Sequence, residues 1–489
     1  MQTFDAGKGK NENVLTNVLW KFGERITAQL VSTIVAIILA RLLCPEDYGI
    51  VSIVTIFISV FNALVVGGLG NALIQKKDAD ELDFSSMFYF SVVFALVMYV
   101  IAYFAAGLLA RVYHNEELIL VTRVMALRIP IAAMNSIQHS YLARKMQFRK
   151  FFVSTLFGTI ISAFVGIFLA YNGFGVWALV GQYMTNVCVD TIVLFLFGGW
   201  HPKWVFDWQR VKMMLPFGFK MMGSALLDTG FNELRSIVIS LKYSATDLAL
   251  YDNGKKYPNL LVVNINSSIN AVMFPAMARV QDDKTALKTS MQKAIKISTY
   301  ALAPLLLGMV AVAEGFVEVM LTEKWLECVP YIRTASIMCL FYPIHTVNIQ
   351  ALNAVGKSGH ALKLEIIKKA ISVIALLVSM SFGVMGIALG AMAVSLLSTY
   401  INAVYSKQFV GYSFVEQMKD IGVILVMASI MCGCVYAIDC MIGMHNIFVL
   451  FTEVAVGALL YICLSGVLKI PEFYYLVAKV RLVLKKILR

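Results

Sequence analysis

The sequence predicts an all-α polytopic membrane protein of about fourteen transmembrane helices, on three observations. Of 489 residues, 60% are hydrophobic and 14% charged. The mean hydropathy is +0.77. The apolar residues gather into runs long enough to cross a hydrocarbon core of about 30 Å. A soluble fold has no polar surface to cover such a composition. Ten prolines against 32 glycines and 25 methionines suit packed helices in lipid, where each segment must satisfy its own backbone groups.

Taken in order, a polar cytoplasmic tail over 1–16 precedes spans at 17–43, 48–73, 84–110, 118–142, 151–171 and 176–199, an N-lobe of six helices over 17–199. The first run is too long for a signal-peptide core and is expected to stay attached as a span. A cytoplasmic linker, 200–213, leads to spans at 214–240, 248–277, 291–320, 330–354, 364–382 and 385–405, a C-lobe over 214–405. A cytoplasmic loop, 406–417, is followed by two further helices within 418–468 and a tail over 469–489. In that tail Leu476, Val480, Val483, Leu484 and Ile487 share one helical face while Lys479, Lys485, Lys486 and Arg489 lie elsewhere, the pattern of a helix on an anionic leaflet; a solvated basic tail is the plainer alternative.

The formal charge of +12 does not indicate nucleic acid. With the N-terminus inside, 28 of the 41 Lys and Arg residues fall in inner loops and tails, the positive-inside pattern of a membrane protein. An even number of spans puts both termini in the cytoplasm. The eight cysteines form no secretory framework, and Cys432, Cys434 and Cys440 read as packing within a span and not as a metal site. No two histidines stand at a metal-pair spacing, and there is no ATPase phosphate loop and no Gly-x-Ser-x-Gly. No metal, cofactor or enzyme activity is therefore expected.

An internal repeat orders the spans. Pro130, Asn135, Arg144 and Lys150 recur as Pro343, Asn348, Lys357 and Lys363 at the same intervals. Gly175-Val176-Trp177-Ala178-Leu179 has a partner in Gly386-Ile387-Ala388-Leu389, and Phe22-Gly23 in Phe217-Gly218. Six helices per copy keep both lobes in the same topology, related by a pseudo-twofold axis along the membrane normal, with the last two helices outside the repeat.

Seven basic residues lie at spanning depth: Lys21, Arg25, Arg123, Arg128, Lys220, Arg235 and Arg333. A charge at mid-bilayer costs about 2.5 to 3.5 kcal/mol even on the lenient insertion scale, so the set cannot all face lipid. Lys21, Glu24, Arg25, Gln29 and Ser32 share one stripe of the first span; Lys220, Ser224, Asp228, Phe231 and Arg235 share one of the seventh. A polar cavity between the lobes follows as an expectation, with the cations holding phosphate or carboxylate groups of an anionic substrate. Asn62, Gln29, Asn259, Asn266 and Asn270 offer the amides a sugar requires, interhelical hydrogen bonding being the alternative for each. For the cations the alternative is internal pairing, as between Glu24 and Arg25 or between Asp228, Glu233 and Arg235, with Lys21 and Lys220 reaching toward water. Glu24, Asp228 and Glu233, with the other embedded carboxylates Asp190, Glu314 and Glu453, are candidates for H+ or Na+ coupling.

The stretch from Phe22-Gly23 through Ala40-Arg41-Leu42-Leu43, then Pro45-Glu46-Asp47-Tyr48-Gly49, Gly67 to Gly70 and Gln75, and the loop Arg144-Lys145-Met146-Gln147-Phe148-Arg149-Lys150 resemble the polysaccharide-repeat-unit flippases of Wzx type, colanic and teichuronic acid exporter branch. The resemblance runs through spans one to twelve. It implies the multidrug/oligosaccharidyl-lipid/polysaccharide exporter superfamily, with a MATE-like fold of two six-helix bundles. The implied substrate is an undecaprenyl-diphosphate-linked oligosaccharide, flipped from the cytoplasmic to the periplasmic leaflet by alternating access for lipopolysaccharide or exopolysaccharide synthesis. Arg25, Lys220 and Arg235 are the nearest matches to the family's cavity cations. A monomer is expected, with membrane lipids, a polysaccharide polymerase and chain-length machinery as partners. The second lobe departs from the pattern, offering Ala245-Thr246-Asp247-Leu248-Ala249 where the first has Pro45-Glu46-Asp47-Tyr48-Gly49. A MATE-like ion-coupled exporter of cationic drugs would want an acidic, aromatic cavity. A membrane glycosyltransferase or polymerase would want a catalytic carboxylate or histidine on a large outer loop, which this sequence lacks.

Overall fold

A computed structural model describes Gln29, residues 31–443 and residues 445–487, and among these the secondary structure is helical with no strand. The first six spans appear as α1 (Val31–Leu42), α2 (Pro45–Val66), α3 (Leu69–Gln75), α4 (Glu81–Tyr113), α5 (Glu117–Ala126), α6 (Arg128–Arg144), α7 (Phe148–Tyr171) and α8 (Val176–Phe197). There follow α9 (Trp208–Lys242), α10 (Ala245–Ala278), α11 (Lys284–Ala311), α12 (Ala313–Met320), α13 (Val329–Cys339), α14 (Tyr342–Ala354), α15 (Ser358–Ser379) and α16 (Gly383–Val410). Last come α17 (Phe414–Ile442), α18 (Ile447–Val467) and α19 (Pro471–Ile487). Eight helical stretches among the described residues have the length and hydropathy of a span by themselves, and Val31–Leu42 is a shorter apolar helix.

Several starts are set locally. Pro45 opens α2 behind the Cys44–Asp47 capping box. Asp80 with Asp83 caps α4, Asp207 caps α9, and Ser413 with Glu416 caps α17. Each supplies acceptors to amides that a helix start leaves unpaired.

The chain forms two compact units, one ending at Ala249 and one beginning at Leu250. In the first, Leu69, Leu73, Phe84, Met87, Ile137, Leu142, Leu194, Trp200, Met214 and Met222 form a buried cluster. Trp200 stacks on Tyr141 at 5.7 Å between ring centroids. α9 packs against α2, α3 and α4, and polar contacts fasten both of its ends. Arg210 meets Asp80 at 2.6 Å and the fully buried Asp83 at 3.3 Å, while Tyr113 and Ser240 share a hydrogen bond of 2.7 Å.

In the second unit, α17 lies along α11. Lys288 pairs with Glu416 at 2.8 Å, Lys296 with Asp420 at 2.8 Å, and Gln292 donates to Asp420 at 2.9 Å. Buried Asn348 and Gln417 exchange amide hydrogen bonds of 3.0 and 3.2 Å. The helices beyond the repeat are thus built into this unit's core, where Met427, Met431, Val435 and Tyr461 join Leu302 and Leu306. The apolar side of α19, through Phe473 and Leu476, packs on the same cluster.

The repeat has a backbone signature. Span four breaks between α5 and α6 at Leu127, and span ten breaks between α13 and α14 at Leu340 and Phe341. Leu127 stands three residues before Pro130, as Leu340 does before Pro343. Each proline sits in the first turn of the new helix, where its missing N–H leaves no bond unmade.

Candidate functional site

The cations expected at spanning depth are held in three ways. On α9, Val211, Met214, Gly218, Met222, Ser236, Ile239 and Ser240 are buried, whereas Lys220, Ser224, Asp228 and Phe231 are exposed and Arg235 half-buried. The packing side of the helix is therefore spent on the first unit, and the side that carries Lys220 is left exposed. Glycine makes this possible: a Cβ on Gly68 would come within 2.1 Å of the Gly218 carbonyl oxygen, so the start of α3 lies directly against the backbone of α9. Lys220 has no ion-pair partner among the described residues. Asp228, Glu233 and Arg235 each interact with neighbours.

Arg123 and Arg128 rest on aromatic faces instead, Arg123 over Tyr103 at 4.2 Å and Arg128 over Tyr183 at 5.1 Å. Such contacts compensate part of the desolvation of a guanidinium. In the second unit Arg333 lies 3.6 Å from Glu314, donates to the Val310 carbonyl at 3.3 Å and faces Tyr436 at 5.6 Å.

The polar candidates are dispersed. Asn62 on α2 is half-buried and its amide oxygen makes no hydrogen bond. On α10, Asn259 accepts from the Cys339 thiol at 3.4 Å, and Asp252 pairs with Lys255 at 2.8 Å. Gln29 accepts at its backbone carbonyl from Thr33. Lys21, Glu24 and Arg25 lie outside the described residues, as do the side chains of Asn266 and Asn270 on α10.

The first unit also contains a cavity of about 630 Å³ lined by Val66, Ile74, Phe151 and Val187 with Asn71, Asn135, Ser136, His139 and Ser140. Behind its polar wall stands Asp190 of α8. Asn135 Nδ2 donates to Asp190 Oδ2 at 2.6 Å, and His139 Nε2 is 3.9 Å from the same oxygen. Asn135 and His139 are one turn apart on α6 and so share a face. A search for histidine pairs overlooks this constellation, because the carboxylate is 55 residues away from Asn135; the visible signal is an amide and an imidazole four residues apart opposite an embedded acid.

One end of the first unit is closed by charge. Lys76 holds Asp83 at 2.6 Å, Arg144 caps the carbonyls of Leu73, Lys76 and Lys77, and Lys203 pairs with Glu81. At Asp80, partial burial raises the carboxyl pKa, but bonds from the Asp83 amide and from Arg210 outweigh it and hold the group below its ordinary value.

The described residues form a helical, multi-span membrane protein with a lysine exposed at spanning depth on one helix of a compact unit. It is similar to the lipid II flippase MurJ in an inward closed conformation, with a TM-score of 0.74 and 14% identity over 93% of this chain and 98% of that one. It is also similar to an inward-facing multidrug resistance MATE family transporter of the MOP superfamily, with a TM-score of 0.61 and 15% identity over 78% of this chain and 94% of that one. At such identities the likeness establishes the fold.

Residues 38–330 match the polysaccharide biosynthesis protein family, more than half of the chain, and the protein belongs to that family. Among its relatives are the succinoglycan biosynthesis transport protein ExoT of Rhizobium meliloti (strain 1021), 27% identical over 64% of each chain. The teichuronic acid biosynthesis protein TuaB of Bacillus subtilis (strain 168) is 25% identical over 62% of this chain and 63% of its own. The lipopolysaccharide biosynthesis protein WzxC of Escherichia coli (strain K12) is 21% identical over 75% of each. The match to ExoT and to TuaB spans just under two thirds of their lengths.

Proposed function

We propose that this protein is a flippase for lipid-linked oligosaccharides, moving undecaprenyl-diphosphate-linked repeat units from the cytoplasmic to the outer leaflet of the bacterial inner membrane, with both termini cytoplasmic. One observation supports the reading: Lys220, Ser224, Asp228 and Phe231 lie on a side of α9 left exposed by the unit into which that helix packs. An exposed ammonium group at spanning depth needs water or an anionic ligand, and a diphosphate or acidic sugar supplies the ligand. Lys21 and Arg25 of the first span join this set on sequence grounds. The relatives named as transport and biosynthesis proteins for succinoglycan, teichuronic acid and lipopolysaccharide support the substrate class.

The protein acts as a transporter and not as an enzyme in this reading. A polysaccharide polymerase and chain-length machinery are its expected partners. The test is a deletion strain: loss of surface glycan with accumulation of an undecaprenyl-linked intermediate supports the reading. Unchanged glycan with increased sensitivity to cationic drugs would replace it with a MATE-like exporter.

A further inference from the structure

The second unit carries a groove that its own side chains leave open. α18 ends in a sharp turn: Lys469 takes a left-handed φ of 50°, its N–H meets the Gly466 carbonyl at 3.2 Å, and the Ile470 N–H meets the Ser465 carbonyl at 3.0 Å. These are the paired bonds of a Schellman end, which satisfy carbonyls that the last turn leaves free. α19 begins at once and lays Phe473 and Leu476 against the core of the unit. Between α11, α18 and α19 stays a cavity of about 430 Å³ whose lining includes Tyr300, Leu305, Ile462, Phe473, Leu476 and Arg481. Small-molecule sites have volumes of about 300 to 1,000 Å³, mostly apolar walls and a few placed polar groups.

The polar groups of this lining are sorted by the contacts around them. Tyr300 donates to Ser465 Oγ at 2.8 Å, and the Tyr461 hydroxyl donates to the Tyr300 carbonyl at 3.2 Å. Both hydroxyls are therefore spent inside the protein. Arg481 is the charged residue of the lining. It is exposed and has no ion-pair partner among the described residues. Glu472, in the first turn of the same helix, stands nine residues back, about 13 Å along the axis. Arg481 follows Phe473 by eight residues, a spacing that keeps both toward one side of α19.

The open side of the groove faces lipid. Leu305 and Ile462 are 47% and 50% exposed on helices long and apolar enough to cross a membrane. Ile462 stands five residues before Val467, the last residue of α18, about 8 Å. That places the apolar walls just below the boundary at which acyl chains meet their headgroups, with Arg481 on the amphipathic helix that follows.

We propose that this groove is a binding site for one anionic phospholipid of the surrounding membrane, its phosphate on the Arg481 guanidinium and an acyl chain along Leu305, Ile462, Phe473 and Leu476. A guanidinium presents a planar fork of N–H donors that matches phosphate oxygens. With no carboxylate paired to it, the fork favours a headgroup of net negative charge over phosphatidylcholine, whose own ammonium cancels the phosphate. The occupied groove ties α19 to α11 and α18, so the lipid stabilises the folded chain by binding it. The site is independent of the flippase reading.

The experiment uses the full chain, purified and delipidated in a neutral detergent, with dioleoylphosphatidylglycerol or dioleoylphosphatidylcholine added at equal concentration. Native mass spectrometry counts the lipid retained, and the unfolding temperature reports its effect. We expect one phosphatidylglycerol to be retained in preference to phosphatidylcholine by about fivefold, the scale of one basic residue at an anionic surface, and to raise the unfolding temperature. Arg481→Ala is expected to bring the preference close to one and Arg481→Lys to keep part of it. Ile462→Trp, which fills the groove and leaves the charge in place, is expected to lose the retained lipid. Equal retention of the two lipids by the wild-type chain overturns the proposal, and that comparison needs no variant to fold. So does an undiminished preference in Arg481→Ala. Displacement of the phosphatidylglycerol by an equimolar amount of undecaprenyl phosphate would assign the groove to a polyprenyl lipid instead, and an equal rise in unfolding temperature with inorganic phosphate would assign it to a free anion; either result overturns the proposal.

Discussion

Gly68 and Gly218 meet backbone to backbone, with space for no side chain at Gly68: a Cβ there would fall 2.1 Å from the Gly218 carbonyl oxygen and 2.7 Å from Met222 Cγ. This crossing seats α9 in the first unit and fixes which of its faces stays open. Gly68→Ala is expected to force the backbones apart, at about 1 to 3 kcal/mol for overpacking, seen as a lower unfolding temperature and reduced export. Gly218→Ala is expected to be milder, since its Cβ would meet the Leu69 Cδ2 methyl at 3.2 Å, a group that can yield.

The Asn348–Gln417 pair gives a second prediction. Both side chains are fully buried, so Asn348→Ala strands the Gln417 amide and is expected to cost about 1 to 3 kcal/mol. The double variant Asn348→Leu, Gln417→Leu is expected to recover much of that loss, because it leaves no buried polar group behind. Thermal unfolding of the three variants checks the order.

Asp80 gives a pH dependence. Its carboxyl pKa lies below the ordinary 3.8 in the folded chain, so its bonds to the Asp83 amide and Arg210 contribute stability that is present above that value. The contribution fades as pH falls below 3.8 through the lower folded value. Asp80→Asn is expected to lower the unfolding temperature slightly at neutral pH and to flatten its fall in acid. The group is 43% exposed, so the effect is modest.

The architecture is written in the sequence at the level of spans, since a run of apolar residues near 20 long has one use in lipid. The breaks at Leu127 and Leu340 are not, because a short kink does not interrupt hydropathy; only the paired Pro130 and Pro343 hint at them. The α9 stripe is legible from spacing, as Lys220, Ser224, Asp228 and Phe231 fall on one side of the helix. That α9 would pack with α2 to α4 is not, for it depends on Gly68 meeting Gly218 and Arg210 meeting Asp80 across long loops. The Asp190 constellation escapes for the same reason: its members sit on α6 and α8, and only the fold sets an amide against an acid at spanning depth.

The open stripe on α9 is tested most directly by charge reversal. Flipping of undecaprenyl-diphosphate-linked oligosaccharide is measured in vesicles carrying wild-type protein, Lys220→Ala or Lys220→Glu, each confirmed folded by its unfolding temperature. We expect a loss of about tenfold or more for alanine, on the scale of one charge-assisted bond to phosphate, and a deeper loss for glutamate. Flipping by Lys220→Glu at the wild-type rate would contradict any role for that lysine in handling an anionic glycolipid.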